Sequence, residues 1–172
     1  MTIKDWSRAW ITRGFHEQQT YVGATKTKGR QLNAHLVPMQ FSSEFSLRER
    51  DYKFTKITVD EITFPTIESE IPNSLQDYFS TADIYICESL EVYPSTTDYP
   101  VYLSYVLTCL AGCYQVGGLQ EVRFFMQHTK GWDSAVIVND LLAPKYPRGA
   151  ILQDEIETLL LTELNNHLGL QW

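Results

Sequence analysis

The side chains of this chain best equipped for chemistry are four histidines, His16, His35, His128 and His167, and three cysteines, Cys87, Cys109 and Cys113. A zinc centre needs about four ligands in paired short spacings. Cys109 and Cys113 stand four residues apart, as on one helix face, but the sequence holds no second pair of Cys or His to complete the set. Both therefore read as small apolar core residues, and neither a metal nor any other cofactor is expected. An odd cysteine count with no export signal predicts reduced thiols.

Nucleophilic and acid–base constellations are equally thin. There is no Gly-x-Ser-x-Gly elbow, no His-Glu-x-x-His and no dinucleotide fingerprint. Gly23 to Gly29 resembles a phosphate loop only in composition: the glycines are one residue too far apart, and Arg30-Gln31 stands where Lys-Ser/Thr is required. His128, Asp133 and Ser134 form the one local grouping of triad residue types, although triads are assembled from distant segments on a rigid scaffold. Glu88 interrupts the apolar face of Ile84, Ile86, Leu90 and Val92, either as a paired carboxylate at a sheet margin or as an acid of raised pKa. The enzyme alternative is thus a small hydrolase or lyase using His128 or His35 with Asp133, Asp140 or Glu88.

Charge carries more information. Residues 1–56 hold ten Lys and Arg against five acids, a net of +5, while residues 57–172 hold four against sixteen, a net of −12. Such polarity serves an internal contact between arm and body, a contact with nucleic acid, or head-to-tail contact between copies. Trp6 and Trp10 beside Arg8, Arg13, Lys26, Lys28 and Arg30 combine stacking surface with positive charge, the ingredients of single-strand binding. The whole chain nevertheless carries −7, a field that repels phosphate.

The elements that must position these residues follow from periodicity. Ile3, Trp6 and Trp10 have helical spacing, so residues 3–13 are predicted as a helix ending at Gly14. Thr20–Gln31 has no apolar period and reads as a mobile basic loop. Two strands broken at Pro38 are expected over 32–47, and a long strand with a bulge near Thr55 over 52–64. An acidic linker runs from Pro65 to Pro72, followed by a helical turn over 73–79 and a strand over 82–93. Thr97 or Asp98 is the expected N-cap of a helix through 101–114 that is apolar on every side, hence central and buried. After Gly117-Gly118, Val122, Phe124 and Met126 share one parity, and with the run Val136-Ile137-Val138 they suggest a β-hairpin. The final helix, 150–168, carries the stripe Leu152, Ile156, Leu159, Leu160, Leu164 and Leu168, with Asp154, Glu155 and Glu157 at its positive end and Gly169 closing it.

At 172 residues, 44% hydrophobic and 20% charged, the chain is long enough to bury a core unaided, which excludes a disordered, collagenous or disulfide-stapled class. No run reaches the roughly 18–20 apolar residues of a membrane span. The expected class is α+β: a mostly antiparallel sheet of five or six strands, a buried central helix and an amphipathic C-terminal helix. Residues 1–31 form a helix and basic arm, and 32–172 a single domain. The expected function is a non-enzymatic assembly subunit, as in a virus or phage-tail-like particle or a secretion apparatus. Its contact residues are Trp6, Arg8, Trp10, Arg13, Lys26, Lys28 and Arg30 against Asp154, Glu155 and Glu157, with Trp172 as a further anchor. Partners are other copies or other assembly proteins; nucleic acid is not favoured, no membrane is expected and no small-molecule ligand is evident. The cytoplasm or an assembled particle is the expected location, without secretion by a signal peptide.

Overall fold

A computed structural model describes residues 1–40, 42–64 and 82–169. Two long antiparallel strands, β1 (Thr2–Gly14) and β2 (Gln19–Asn33), form its centre. β3 (Tyr52–Ile57), β4 (Ile62–Thr63) and β5 (Ile84–Ser89) flank them in the order β3-β5-β2-β1-β4, and β7 (Thr129–Lys130) pairs with β1. Pairings β1–β2, β1–β4 and β3–β5 are antiparallel; β2–β5 and β1–β7 are parallel. β6 (Val101–Tyr102) and β8 (Ile137–Val138) make a separate two-stranded parallel pair. Three helices complete the described residues: α1 (Ser43–Arg48), α2 (Leu103–His128) and α3 (Asp154–Leu168). The α+β class, the six-stranded sheet, the central helix and the C-terminal helix are those expected, with a sheet more mixed in direction than anticipated.

The N-terminal helix is corrected to a strand. Pairing of β1 with β2 is irregular between Lys4 and Trp6, where Asp5 has φ 61°, and again between Trp10 and Thr12. Such irregularities change which face successive residues occupy. Ile3 and Trp6, three apart, consequently share one apolar cluster, while Trp6, Arg8 and Trp10, all buried, follow the period of two that a strand requires. The spacing that imitates a helix is a strand with an interruption. Thr20–Gln31 is likewise not a mobile loop but most of β2: its threonines and lysines alternate on a half-solvated strand, and the pairing that orders it comes from β1. Gly23 is needed here for space, since a Cβ would overlap the hydroxyls of Thr12 and Ser89, which bond each other at 2.7 Å.

Three further expectations change. Over 32–47, β2 ends at Asn33, and Ser42 caps α1 by accepting from the Phe45 amide at 3.1 Å. The strand over 52–64 is divided into β3 and β4 by a 3-10 turn at Val59–Glu61, where the Glu61 carboxylate accepts from the Thr58 amide at 2.9 Å. The hairpin after Gly117-Gly118 does not form. Those glycines kink α2, Gly118 having φ 62° and ψ −155°, and the helix resumes to His128. Val122, Phe125 and Met126 are the buried residues, a helical set, in place of the alternating Val122, Phe124 and Met126. The linker and turn expected over 65–79 lie outside the described residues.

The core has two parts. Leu103, Val106, Leu107 and Leu110 of α2 pack with Trp10, Tyr21, Leu160 and Leu164; Ile3, Trp6, Leu32, Ile57, Ile62, Ile84 and Ile86 form the second cluster. α3 starts at Asp154 rather than 150, and Gly169 ends it at φ 66° as predicted. The Thr97 or Asp98 cap is replaced by a distant one. Asp140 accepts from the Ser104 amide at 2.8 Å, the Ser104 hydroxyl at 2.6 Å and the Lys145 amide at 2.7 Å.

Candidate functional site

The residues of the enzyme alternative do not converge. His128 lies at the end of α2 with its ring stacked on Phe124 at 3.8 Å and its Nδ1 3.0 Å from the Phe124 carbonyl. Asp133 is exposed, and no hydrogen bond joins His128, Asp133 and Ser134 among the described residues. Glu88 accepts from Thr55 at 2.6 Å and pairs with Lys53 at 3.2 Å, the paired carboxylate of the two readings offered for it. Asp140 is a helix cap, and His35 is exposed. Among the described residues no group of three Cys, His, Asp or Glu has the arrangement of a metal site. Burial pushes the Cys109 thiol up to about 12 and Cys87 up to about 11, so neither is a thiolate at neutral pH.

His167 packs edge-on to Trp132 at 5.6 Å, and desolvation there holds its pKa below the ordinary 6.5. A histidine with a depressed folded pKa supports the fold in its neutral form. That contribution is complete above the unfolded value and is lost as pH falls through 6.5 toward the folded value. His167→Gln is expected to narrow the difference between urea midpoints measured at about pH 7.5 and about pH 5.5 relative to the parent chain. An unchanged difference would contradict this assignment.

The expected contact residues separate into two groups. Trp6 is fully buried, Trp10 is 2% exposed and Arg8 is 8% exposed, so all three are removed from the contact surface and placed in the interior. The reason is the central position of β1, paired on both edges. Trp6 and Trp10 therefore offer no stacking surface to a single strand. Arg13 is engaged within the chain: it donates to the Pro94 carbonyl at 3.0 Å and lies over the rings of Tyr93 and Tyr99 at 4.8 and 4.4 Å. Phe15, 53% exposed, meets the same two rings edge-on. Lys26 pairs with Glu61 at 3.1 Å.

Lys28 and Arg30 remain outside the interior. They flank Gly29, whose φ is 75° and whose amide donates to Asp5 at 2.6 Å, so an irregular stretch of β2 presents both side chains to solvent. Asp154 and Glu155 are exposed and Glu157 is half-buried in the first turn of α3. None of these five charges joins an ion pair among the described residues, although seven ion pairs form elsewhere. Trp172 lies outside the described residues.

A second feature has no counterpart in the sequence reading. A cleft of about 580 Å³ opens over β2 and β5, floored by Val22, Ala24, Leu32 and Ile86 and walled by Tyr21, Tyr52, Tyr105 and Tyr146. Tyr52 donates to the Val22 carbonyl at 2.8 Å, and Tyr105 accepts from the Val22 amide at 3.4 Å. Burial raises the pKa of all four phenols, which therefore stay protonated. Ionised side chains edge the mouth: Arg50 pairs with Glu17 at 2.9 Å, while Arg48 and Arg148 both reach Glu49, at 3.0 and 3.3 Å. These residues come from five separate stretches of chain, so no spacing rule could have grouped them; the abundance of tyrosine was the one visible signal. Compared with protein-family models, with curated proteins and with solved structures, the chain matches none.

Proposed function

We propose that this chain is a non-enzymatic assembly subunit whose copies associate head to tail, the basic stretch of β2 on one copy meeting the acidic start of α3 on the next. The observation that carries this reading is that both patches are without ion pairs among the described residues. Lys28 and Arg30 on one side, and Asp154, Glu155 and Glu157 on the other, are opposite charges that do not meet within the chain. The acids also sit at the positive end of α3, where the helix dipole favours negative charge. Complementary patches at different places on one subunit make a heterologous contact, which builds a ring where the rotation closes and a stack where it does not. Exposed Phe15 and Tyr93, with half-buried Arg13 and Tyr99, add an aromatic and arginine group in which Tyr and Arg are types that dominate interface energetics.

The role once expected of Trp6 and Trp10 passes to these surface charges. The test is molar mass by light scattering at low and high salt on the full chain, with two charge-reversed variants, Lys28→Glu/Arg30→Glu and Asp154→Lys/Glu155→Lys. Each variant alone is expected to self-associate at least about tenfold more weakly, and an equimolar mixture of the two to recover a complex through the reversed pairing. A parent chain that is monomeric at every salt concentration, or a mixture no better than its components, would overturn the proposal.

A further inference from the structure

The cleft holds four arginines, and three of them are matched to carboxylates: Arg48 and Arg148 to Glu49, and Arg50 to Glu17. Arg8 is different. It is the most buried of the four, it lines the cleft from the β1 side, and among the described residues no carboxylate forms an ion pair with it. Its hydrogen bonds go to neutral oxygens: Nε donates to the Thr129 hydroxyl at 2.8 Å, Nη1 to the Asn33 carbonyl at 3.1 Å, and Nη2 to Asn33 Oδ1 at 2.7 Å and the Phe125 carbonyl at 3.2 Å. Its guanidinium lies 3.9 Å from the centre of the Phe125 ring. These contacts fix the plane of the group and use four of its five N–H bonds, leaving one on Nη1 with no acceptor among the described residues.

A buried charge is costly unless an opposite charge meets it. Desolvation lowers the pKa of Arg8 to about 10, so it is still a cation at neutral pH. The protein supplies hydrogen bonds and a ring face, and Glu121 acts on the guanidinium only from a distance, through Asn33, whose Nδ2 donates to Glu121 at 2.6 Å; no carboxylate touches Arg8 among the described residues. A guanidinium held rigid in this way, with a donor left over, is suited to a carboxylate. The rest of the cleft limits what may be attached to it. Val22, Ala24, Leu32 and Ile86 present an apolar floor, and the tyrosine rings present apolar walls, so the body of the ligand is apolar or aromatic. At the mouth Arg48, Arg50 and Arg148 are balanced in number by Glu17, Glu49 and Asp51, so Arg8 is the one cation of the lining without a matching acid there and the cleft has charge for a single anion. Polyanions such as nucleotides are thereby disfavoured. The volume, about 580 Å³, falls in the ordinary range of small-molecule sites.

From this geometry we infer that the cleft is a binding site for a small organic monocarboxylate with an apolar or aromatic body, its carboxylate against Arg8 and its body between the tyrosines and the floor of β2 and β5. The site is independent of the charged patches proposed for assembly, and the two proposals fail separately.

The experiment is a titration of the isotopically labelled full chain, followed by amide chemical shifts, with benzoate, phenylacetate and hexanoate as probes. Benzamide, phenylacetamide and hexanamide serve as neutral counterparts, and inorganic phosphate as a polyanion. Saturable shifts are expected at Val22, Ala24 and Leu32 for at least one acid, with its amide at least about tenfold weaker and phosphate without effect at these positions, the difference reflecting one charge-assisted hydrogen bond. Ala24→Leu fills the floor beside its cross-strand neighbour Arg8 while leaving the guanidinium in place, and it is expected to weaken that acid by at least about tenfold. Arg8→Gln is expected to abolish the preference for acid over amide, and Ala24→Leu alone decides if that variant does not fold. Absence of saturable shifts with all three acids, equal binding of acid and amide, shifts driven by phosphate, or undiminished binding in Ala24→Leu would overturn the inference.

Discussion

Replacing Trp6 and Trp10 together by alanine is expected to abolish cooperative folding, and each single replacement to lower the unfolding free energy by about 3–5 kcal/mol. Both indoles are interior, and they belong to different parts of the core. Trp6 packs with Ile3, Leu32, Ile57, Ile62, Ile84 and Ile86, so its removal opens a space that five separate elements line. Trp10 meets Trp132, Tyr105 and Phe125 edge-on at 4.9, 6.1 and 6.4 Å, contacts that an alanine cannot make. Losses in two clusters with few shared partners are close to additive, and their sum rivals the roughly 5–15 kcal/mol that holds a typical domain folded. Among the described residues neither indole N–H has a hydrogen-bond partner, so the loss is one of packing, and phenylalanine should restore much of it at either position. Urea denaturation followed by circular dichroism measures the effect. A double variant that unfolds at the parent midpoint, and changes only its association state, would show that the rings serve a neighbouring copy and would refute their place in the core.

Asp140→Ala carries the second large effect. Asp140 is 8% exposed, and its two oxygens accept the Ser104 amide, the Ser104 hydroxyl and the Lys145 amide. Alanine leaves three donors without their acceptor, one of them at the exposed-dipole end of α2, where a carboxylate also neutralises partial positive charge. Orphaned donors cost about 1–3 kcal/mol each when they stay dry, and partial hydration of a loop reduces that, so a loss of about 3 kcal/mol is expected. Asp140→Asn keeps one acceptor oxygen and should lose about half as much. The same substitution releases the segment leading to Tyr146 and Arg148, and with it one wall of the cleft. Thermal midpoints of the two variants, compared with the parent chain, decide the matter. Midpoints that do not move would mean that solvent satisfies the start of α2 without Asp140.

The interior places of Trp6 and Trp10 show why the N-terminal region was hard to read. In a regular strand, residues three apart face opposite sides, so Ile3 and Trp6 look helical until the positive φ of Asp5 is known. Across the hairpin the Gly29 amide donates to the Asp5 carboxylate in that conformation, a contact 24 residues away in the chain. The β2 strand has the opposite difficulty. Its order comes from backbone pairing with β1, to which the side-chain pattern of Thr20–Gln31 contributes no apolar signal.

Charge was legible in position but not in use. Lys28, Arg30, Asp154, Glu155 and Glu157 stand at the surface as their sequence neighbourhoods suggested, whereas Arg8, read in the same basic group, is an interior cation. Nothing in the residues beside Arg8 separates these outcomes. Its burial follows from acceptors supplied by Asn33, Phe125 and Thr129, which are 25, 117 and 121 residues away.

The α+β class, the strand at Ile84–Ser89, the central apolar helix and the final helix with Gly169 at its end are all legible in the residues, because each rests on a local period or a local backbone requirement. The continuation of α2 beyond its two glycines, the capping of that helix by Asp140, and the cleft around Arg8 and the four tyrosines arise in three dimensions alone. In these cases the deciding contact lies far away in the chain: the buried set Val122, Phe125 and Met126 outweighs an equally visible alternation only because an apolar cluster is there to receive it.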